Sequence, residues 1–229
     1  MPEPESLADR LARVRSAVAD AVREAGRVGD DVTTIVVTKF HPAGLVRELA
    51  ALGVTDVGEN RQQEASEKAA ELTDLGLTWH FIGQLQSKKT RAVLQFASAI
   101  HSVDRLSLVT ALGNALAPDA TVDAFVQLNL TDDPARGGVR PDHLESFVES
   151  VMATDGIRLR GLMAVAPIDA EPRAAFARVR ELGERLRTLA PDATDLSMGM
   201  SGDFREAVLE GATHLRIGTA ITGNRPPAG

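Results

Sequence analysis

From Thr33 onwards, short apolar and β-branched runs alternate with longer stretches in which apolar residues recur every three or four positions. The first pattern is that of strands buried on both faces, and the second that of amphipathic helices packed against a sheet. Eight strands are predicted: Thr34–Lys39, Asp56–Glu59, Thr78–Ile82, Ala99–Val103, Ala124–Leu130, Arg160–Val165, Asp195–Met198 and His214–Ile217. Helices are predicted over Pro42–Leu52, Arg61–Leu72, Lys88–Phe96, Arg105–Leu116, Pro141–Ala153, Glu171–Leu189 and Asp203–Glu210. Pro42 and Pro141 suit first helical turns, and Gly53 and Gly211 suit helix ends. Upstream, Leu7, Leu11, Val14, Val18 and Val22 mark one face of a further helix, with Ser6 and Asp9 spaced as a capping pair.

This alternation predicts an α/β fold, a single (β/α)8 barrel of the TIM type with an extra N-terminal helix, spanning residues 1–229 as one domain. An open doubly wound sheet would show the same alternation. No Gly-x-Gly-x-x-Gly follows the first strand, which removes that fold's usual dinucleotide-binding form. No linker or low-complexity segment divides the chain, and the tail from 226 to 229 has no expected role. Barrels of this kind place their chemistry at the C-terminal ends of the strands. Lys39, Glu59-Asn60, Gly83, Asn129, Ala166-Pro167, Gly199-Met200-Ser201 and Gly218-Thr219 should therefore converge on one mouth.

Composition narrows the partners. A net charge of −7 argues against a general nucleic-acid binder. No apolar stretch approaches the ~20 residues that span a bilayer, and scattered charges near the N-terminus do not fit a secretion signal. The absence of cysteine excludes disulfides and thiolate metal sites, and the five histidines are far apart in sequence. The expectation is a cytoplasmic protein, a monomer, with no nucleic-acid, membrane or metal partner. The run Ser87-Lys88-Lys89-Thr90-Arg91 opposes the dipole at a helix start and reads as a solvated basic face, with a second anion or an RNA contact as the alternative.

Lysine is scarce: only four of the 25 Lys+Arg positions carry it. Arginine stays protonated in any protein, whereas a lysine closing a buried strand can lose its proton and attack a carbonyl, so Lys39 is a candidate Schiff-base lysine. A lysine that merely reaches solvent from a strand end is the simpler alternative. Gly199-Met200-Ser201-Gly202-Asp203 and Arg216-Ile217-Gly218-Thr219-Ala220 offer backbone N–H groups, hydroxyls and an arginine to a phosphate after strands seven and eight. The first segment reads equally as a plain helix start capped by Ser201 or Asp203. Arg216 is either an internal salt-bridge partner or a guanidinium aimed at a heteroaromatic nitrogen, which it would keep unprotonated.

Six segments, in order, resemble the pyridoxal phosphate homeostasis proteins (the YggS/PROSC family). They are Val36-Val37-Thr38-Lys39-Phe40-His41-Pro42, Gly58-Glu59-Asn60, Trp79-His80-Phe81-Ile82-Gly83 with Leu85-Gln86-Ser87-Lys88-Lys89, Arg160-Gly161-Leu162-Met163, Leu196-Ser197-Met198-Gly199-Met200-Ser201, and Val208 through Gly223. The resemblance implies a barrel related to the N-terminal domain of alanine racemase, with pyridoxal 5′-phosphate (PLP) held as an imine by Lys39. It implies that Ser201, Gly202, Gly218 and Thr219 bind the phosphate, that Arg216 faces the pyridine nitrogen, and that Asn60 lies near the ring. His80 also fits the pattern, with a buried structural histidine as the alternative. The chain departs from the family at His41 (often a second lysine), Arg61 (often tyrosine), Gln84 (often proline) and Arg136-Gly137-Gly138, which leaves second-site or transfer roles of those loops in doubt.

The chain contains no tyrosine, whereas an alanine racemase needs a tyrosine base supplied from a further domain of a partner subunit. The leading expectation is a non-enzymatic protein that binds PLP reversibly and buffers it or delivers it to PLP-requiring apoenzymes. The competing readings are a single-domain racemase- or aldolase-like PLP enzyme, and a cofactor-free barrel using Lys39 on a sugar phosphate.

Overall fold

Apolar side chains at successive strand positions (Ile35, Val36 and Val37; Ala99, Ile100 and Val103; Ala124, Phe125 and Val126) are all buried, as two covered faces require. The computed structural model describes residues 5–28, 32–133 and 135–224; the tail at 226–229 lies outside them. Its strands are β1 (Thr33–Val37), β2 (Asp56–Glu59), β3 (Thr78–Phe81), β4 (Ala99–Val103), β5 (Val122–Gln127), β6 (Ile157–Met163), β7 (Asp195–Ser197) and β8 (His214–Ile217). They pair in parallel in chain order, and β8 returns to β1 through Thr34↔Leu215 and Val36↔Ile217. The sheet is a closed barrel, so the (β/α)8 expectation holds.

The helices α1 (Leu7–Glu24), α2 (Ala43–Ala51), α3 (Gln62–Glu71), α4 (Thr90–Val93), α5 (Leu106–Ala115), α6 (Leu144–Met152), α7 (Pro172–Leu189), α8 (Phe204–Leu209) and α9 (Thr219–Thr222) clothe the barrel. The extra helix α1 forms as its spacing predicts. Ser6 Oγ accepts from Asp9 N at 3.2 Å and the Asp9 carboxylate accepts from Ser6 N at 3.3 Å, a reciprocal capping box. Leu11, Val14, Val18 and Val22 are buried on one face, and α1 packs on α8 and α9, where Arg10 Nε donates to the Ile221 carbonyl at 2.7 Å. No helix of the described residues is long and apolar enough to cross a membrane.

Three local expectations change. β1 ends at Val37, which leaves Lys39 in the turn that follows. Pro42 is the extended N-cap of α2 rather than a residue of its first turn, and Pro141 opens a 3-10 turn ahead of α6. The helix expected over Lys88–Phe96 is reduced to a 3-10 turn (Ser87–Lys89) and the single turn α4, in keeping with three cations at its dipole-positive end.

Candidate functional site

Lys39 sits between two residues whose backbones are held by one buried ionic cluster. The Lys68 ammonium donates to the Thr38 carbonyl at 2.9 Å, to Glu59 Oε1 at 2.7 Å and to Glu64 Oε1 at 2.7 Å. The Thr38 hydroxyl donates to Glu59 Oε1 at 2.7 Å, and the Phe40 amide donates to Glu64 Oε1 at 2.6 Å. Phe40 adopts a left-handed backbone (φ 68°), an uncommon conformation for a bulky residue, and the Glu64 bond holds it there. Burial pushes the Glu59 carboxyl above its ordinary range, against the opposing hydrogen bond and charge of Lys68. Lys39 is half-buried, makes no ion pair or hydrogen bond among the described residues, and lies 6.0 Å from the Phe40 ring centroid. Arg61 covers the same ring at 4.8 Å.

Sequence reasoning singled out Lys39 but missed its clamp. Glu64 and Lys68 are visible there as an ordinary i,i+4 pair on a helix surface. That Lys68 is buried against strand β2 follows only from how α3 packs.

The other candidates lie on adjoining strands. In the closed order β7-β8-β1-β2, Ser201 and Gly202 follow β7, Gly218 and Thr219 follow β8, Lys39 follows β1 and Asn60 follows β2. Their loops touch. Ser201 Oγ accepts from the Ala220 amide at 3.3 Å, and a side chain built on Gly218 would stand 3.5 Å from the Val37 Cβ. Thr38 N donates to the Gly58 carbonyl at 3.0 Å. The Thr219 hydroxyl and the Asn60 amide make no hydrogen bond to any described residue, and the space over Gly202 is open to at least 4 Å. α8 is too short to be a dipole device; Asp203 precedes it and accepts from the Met200 amide at 2.6 Å. The Asn60 carbonyl meets Gly83 so closely that a Cβ there would lie 2.1 Å away, which ties the turns after β2 and β3 together.

Arg216 points into the barrel and is not the internal salt-bridge partner weighed for it. No carboxylate among the described residues pairs with it. Nη1 donates to Ser197 Oγ at 2.7 Å and Nη2 to the Ala164 carbonyl at 2.9 Å. Burial lowers its pKa to about 10, so it remains a cation at neutral pH. The histidines far apart in sequence meet beside it: His80 on β3, His101 on β4 and His214 on β8. His101 stacks on Phe125 with centroids 4.2 Å apart.

Burial holds His101 well below the ordinary histidine pKa and lowers that of His214 to about 4. Unfolded histidines take up protons near pH 6.5 that these folded ones refuse, so stability falls as pH drops through that value. Each such histidine contributes a slope of at most about 1.4 kcal/mol per pH unit, and the raised Glu59 carboxyl opposes it. The melting temperature is expected to fall steadily between pH 6.5 and 5; a flat profile there would contradict neutral histidines in the barrel.

Two cavities bear on the choice of site. The larger, 650 Å³, lies at the N-terminal end of the strands between α1 and β1, lined by Leu11, Val18, Thr33, Thr34 and Asp56. It is on the wrong face for barrel chemistry. A cleft of 270 Å³ opens at the C-terminal ends of β2 and β3, lined by Asn60, Arg61, Phe81, Gln84 and Lys89; of the candidate site residues, Asn60 alone lines it.

Residues 12–226 match the family described as alanine racemase, N-terminal domain. The chain is 42% identical over 227 residues to the pyridoxal phosphate homeostasis protein of Pseudomonas aeruginosa, covering 96% of each. The chain belongs to the pyridoxal phosphate homeostasis protein family. A second member, from Corynebacterium glutamicum, is 40% identical over 215 residues, covering 90% of this chain and 96% of that protein. The solved structure of PipY from Synechococcus elongatus with PLP bound superposes with a TM-score of 0.84 at 37% identity, covering 95% of this chain and 100% of PipY. PipY thus shares this barrel over nearly its whole length.

Proposed function

We propose that the whole chain acts as one PLP-binding unit, holding the cofactor through an imine to Lys39 and serving PLP homeostasis as a buffer and carrier. The observation that carries this reading is the placement of Lys39. It is a half-buried amine with no ion pair among the described residues, pinned through both neighbours, on the same four-strand arc as the Ser201 and Thr219 hydroxyls. The names of its relatives and the PLP in PipY support the same cofactor.

Bound PLP would supply an aldehyde for reversible condensation and a phosphate anion. The chain's own residues then divide the work. Ser201, Gly202, Gly218 and Thr219 surround the phosphate with hydroxyl and backbone donors, and Asn60 lies beside the ring. Arg216, which can only donate, faces the ring nitrogen and keeps it unprotonated, so the ring stays a weak electron sink. The absence of tyrosine removes the base that racemisation needs opposite the lysine. Both features favour carriage over catalysis. We take the protein to be a cytoplasmic monomer that passes PLP to PLP-requiring apoenzymes.

An absorbance titration with PLP tests this. Wild type is expected to develop the visible imine band, Lys39→Ala to lack it, and Arg216→Ala to bind at least about tenfold more weakly through loss of charge-assisted hydrogen bonds. A band that survives Lys39→Ala unchanged rules out the covalent link. Rapid multiple turnover of an L-amino acid, by racemisation or cleavage, would defeat the carrier reading in favour of an enzyme.

A further inference from the structure

We propose that Ser197, His101, His80 and Asp56 form a one-directional hydrogen-bond relay through the barrel interior that positions Arg216 for the cofactor ring. It rests on the PLP reading only for its last clause; the relay itself belongs to the protein without ligand.

Four consecutive contacts make the chain. Arg216 Nη1 lies 2.7 Å from Ser197 Oγ, Ser197 Oγ 2.8 Å from His101 Nδ1, His101 Nε2 3.0 Å from His80 Nδ1, and His80 Nε2 3.0 Å from Asp56 Oδ1. It crosses from β8 through β7, β4 and β3 to the first residue of β2, and so runs from the chemical end of the barrel to its opposite face. Ser197 and His101 are wholly inaccessible to solvent, and His80 nearly so. Only Asp56, at the rim of the large N-terminal cavity, is partly exposed.

The two ends dictate the direction. A guanidinium can only donate. Burial would raise the Asp56 carboxyl, but hydrogen bonds from His80 and Thr55 outweigh it and keep the pKa below the usual value, so Asp56 is ionised and can only accept. In the proposed direction His80 donates from Nε2 to Asp56 and accepts at Nδ1 from His101 Nε2. His101, kept neutral by burial, has its bare Nδ1 toward Ser197, whose hydroxyl proton goes there. The lone pairs of Ser197 remain for Arg216. Each of the four links then carries one proton.

The arrangement answers a question raised by Arg216 itself. A fully buried guanidinium is costly without a counter-ion; no carboxylate among the described residues touches Arg216, and Asp203 favours its charge without pairing with it. Asp56 adds a negative group at the far end of the hydrogen-bond chain, with the groups between polarised in series. A carboxylate placed beside Arg216 would instead compete for its N–H groups and offer the ring nitrogen a proton. His214 stands outside the relay: its Nδ1 pairs with Thr213 Oγ1 at 2.8 Å, and its ring meets Phe125 edge-on.

These four are positioning residues, and two measurements test them. Nitrogen-15 spectra of histidine in the ligand-free protein at neutral pH should show His80 and His101 protonated at Nε2 and bare at Nδ1. In Ser197→Ala, the His80 signals should move although His80 does not touch residue 197. His101 protonated at Nδ1 in wild type, or His80 signals indifferent to Ser197→Ala, would overturn the relay. In PLP titrations, Ser197→Ala should keep the visible band but raise the dissociation constant about tenfold, the size expected for a lost bond to a charged donor. Asp56→Asn, a rim substitution that preserves hydrogen bonding to His80, should raise it in the same direction by a smaller factor. Unchanged constants in both variants would refute the positioning role. A wild type that shows no visible band would instead sink the PLP reading, while the histidine spectra would still decide the relay.

Discussion

Replacing Lys68 with methionine is expected to destabilise the protein by about 3–5 kcal/mol at neutral pH, the usual cost of removing one partner of a buried ion pair. At about 2–4 °C per kcal/mol for a chain of this size, the melting temperature should fall by roughly 10 °C. The reason lies in what is left behind. Glu59 is wholly buried and Glu64 largely so, and without the ammonium their carboxylates face each other uncompensated. The Glu59 carboxyl, already raised by burial, would rise further. A group with a raised folded pKa is penalised once pH exceeds its unfolded value and is relieved as pH falls, so the deficit against wild type should narrow between pH 7 and pH 5. Glu59→Gln in the same background should recover part of the loss. If Lys68→Met melts within a degree or two of wild type, the cluster does not hold the Lys39 turn.

The same variant separates folding from function. The Thr38 carbonyl loses its donor, and Glu64, no longer held by the ammonium and repelled by Glu59, loosens from the Phe40 amide. Lys39 would remain present but less well placed. PLP should bind more weakly even at temperatures where the variant is fully folded.

Gly161→Ala is the second large effect. Gly161 lies where the pairing of β5 with β6 shifts register: Ala124 faces Leu159, while Phe125 faces Gly161. On its other side it pairs with Asp195 of β7. Its φ of +155° disfavours any side chain, and a Cβ there would stand 1.8 Å from the Asp195 carbonyl oxygen. Both obstacles are backbone, so the strand itself must move. The expected loss is about 4 kcal/mol or more, the range reserved for backbone strain and overpacking combined. Gly202→Ala is the contrast: nothing lies within 4 Å of its added methyl, so stability should change by about 0.5 kcal/mol or less, the norm for an open surface position. Equal melting temperatures for the two variants would show that the β6–β7 contact is not a constraint.

These positions differ in how far the amino-acid order exposes them. The strand and helix alternation is local: apolar spacing announces a strand whether or not its neighbours are known, and eight such units with crossovers admit few closures. Lys39 stood out by scarcity, and the segments around Ser201 and Thr219 by small residues after strands. None of this needs a contact distance. Gly161 sat in plain view within Arg160-Gly161-Leu162-Met163, yet nothing in that run says that the carbonyl of Asp195 occupies the space of its missing side chain.

Closure of the sheet decided the rest. Whether a side chain points into the barrel or away from it depends on strand register, and which interior residues meet depends on strands far apart in sequence. Asp56, His80, His101, Ser197 and Arg216 belong to five separate strands, and only the closed barrel brings them within 3.0 Å of one another in series. Lys68 likewise reads as a surface cation until α3 packs it beneath the β1 turn. Local patterning, being a property of neighbours along the chain, specified the elements and singled out the candidate amine. The support of that amine and the relay behind Arg216 are long-range contacts, and those exist only once the first strand has met the last.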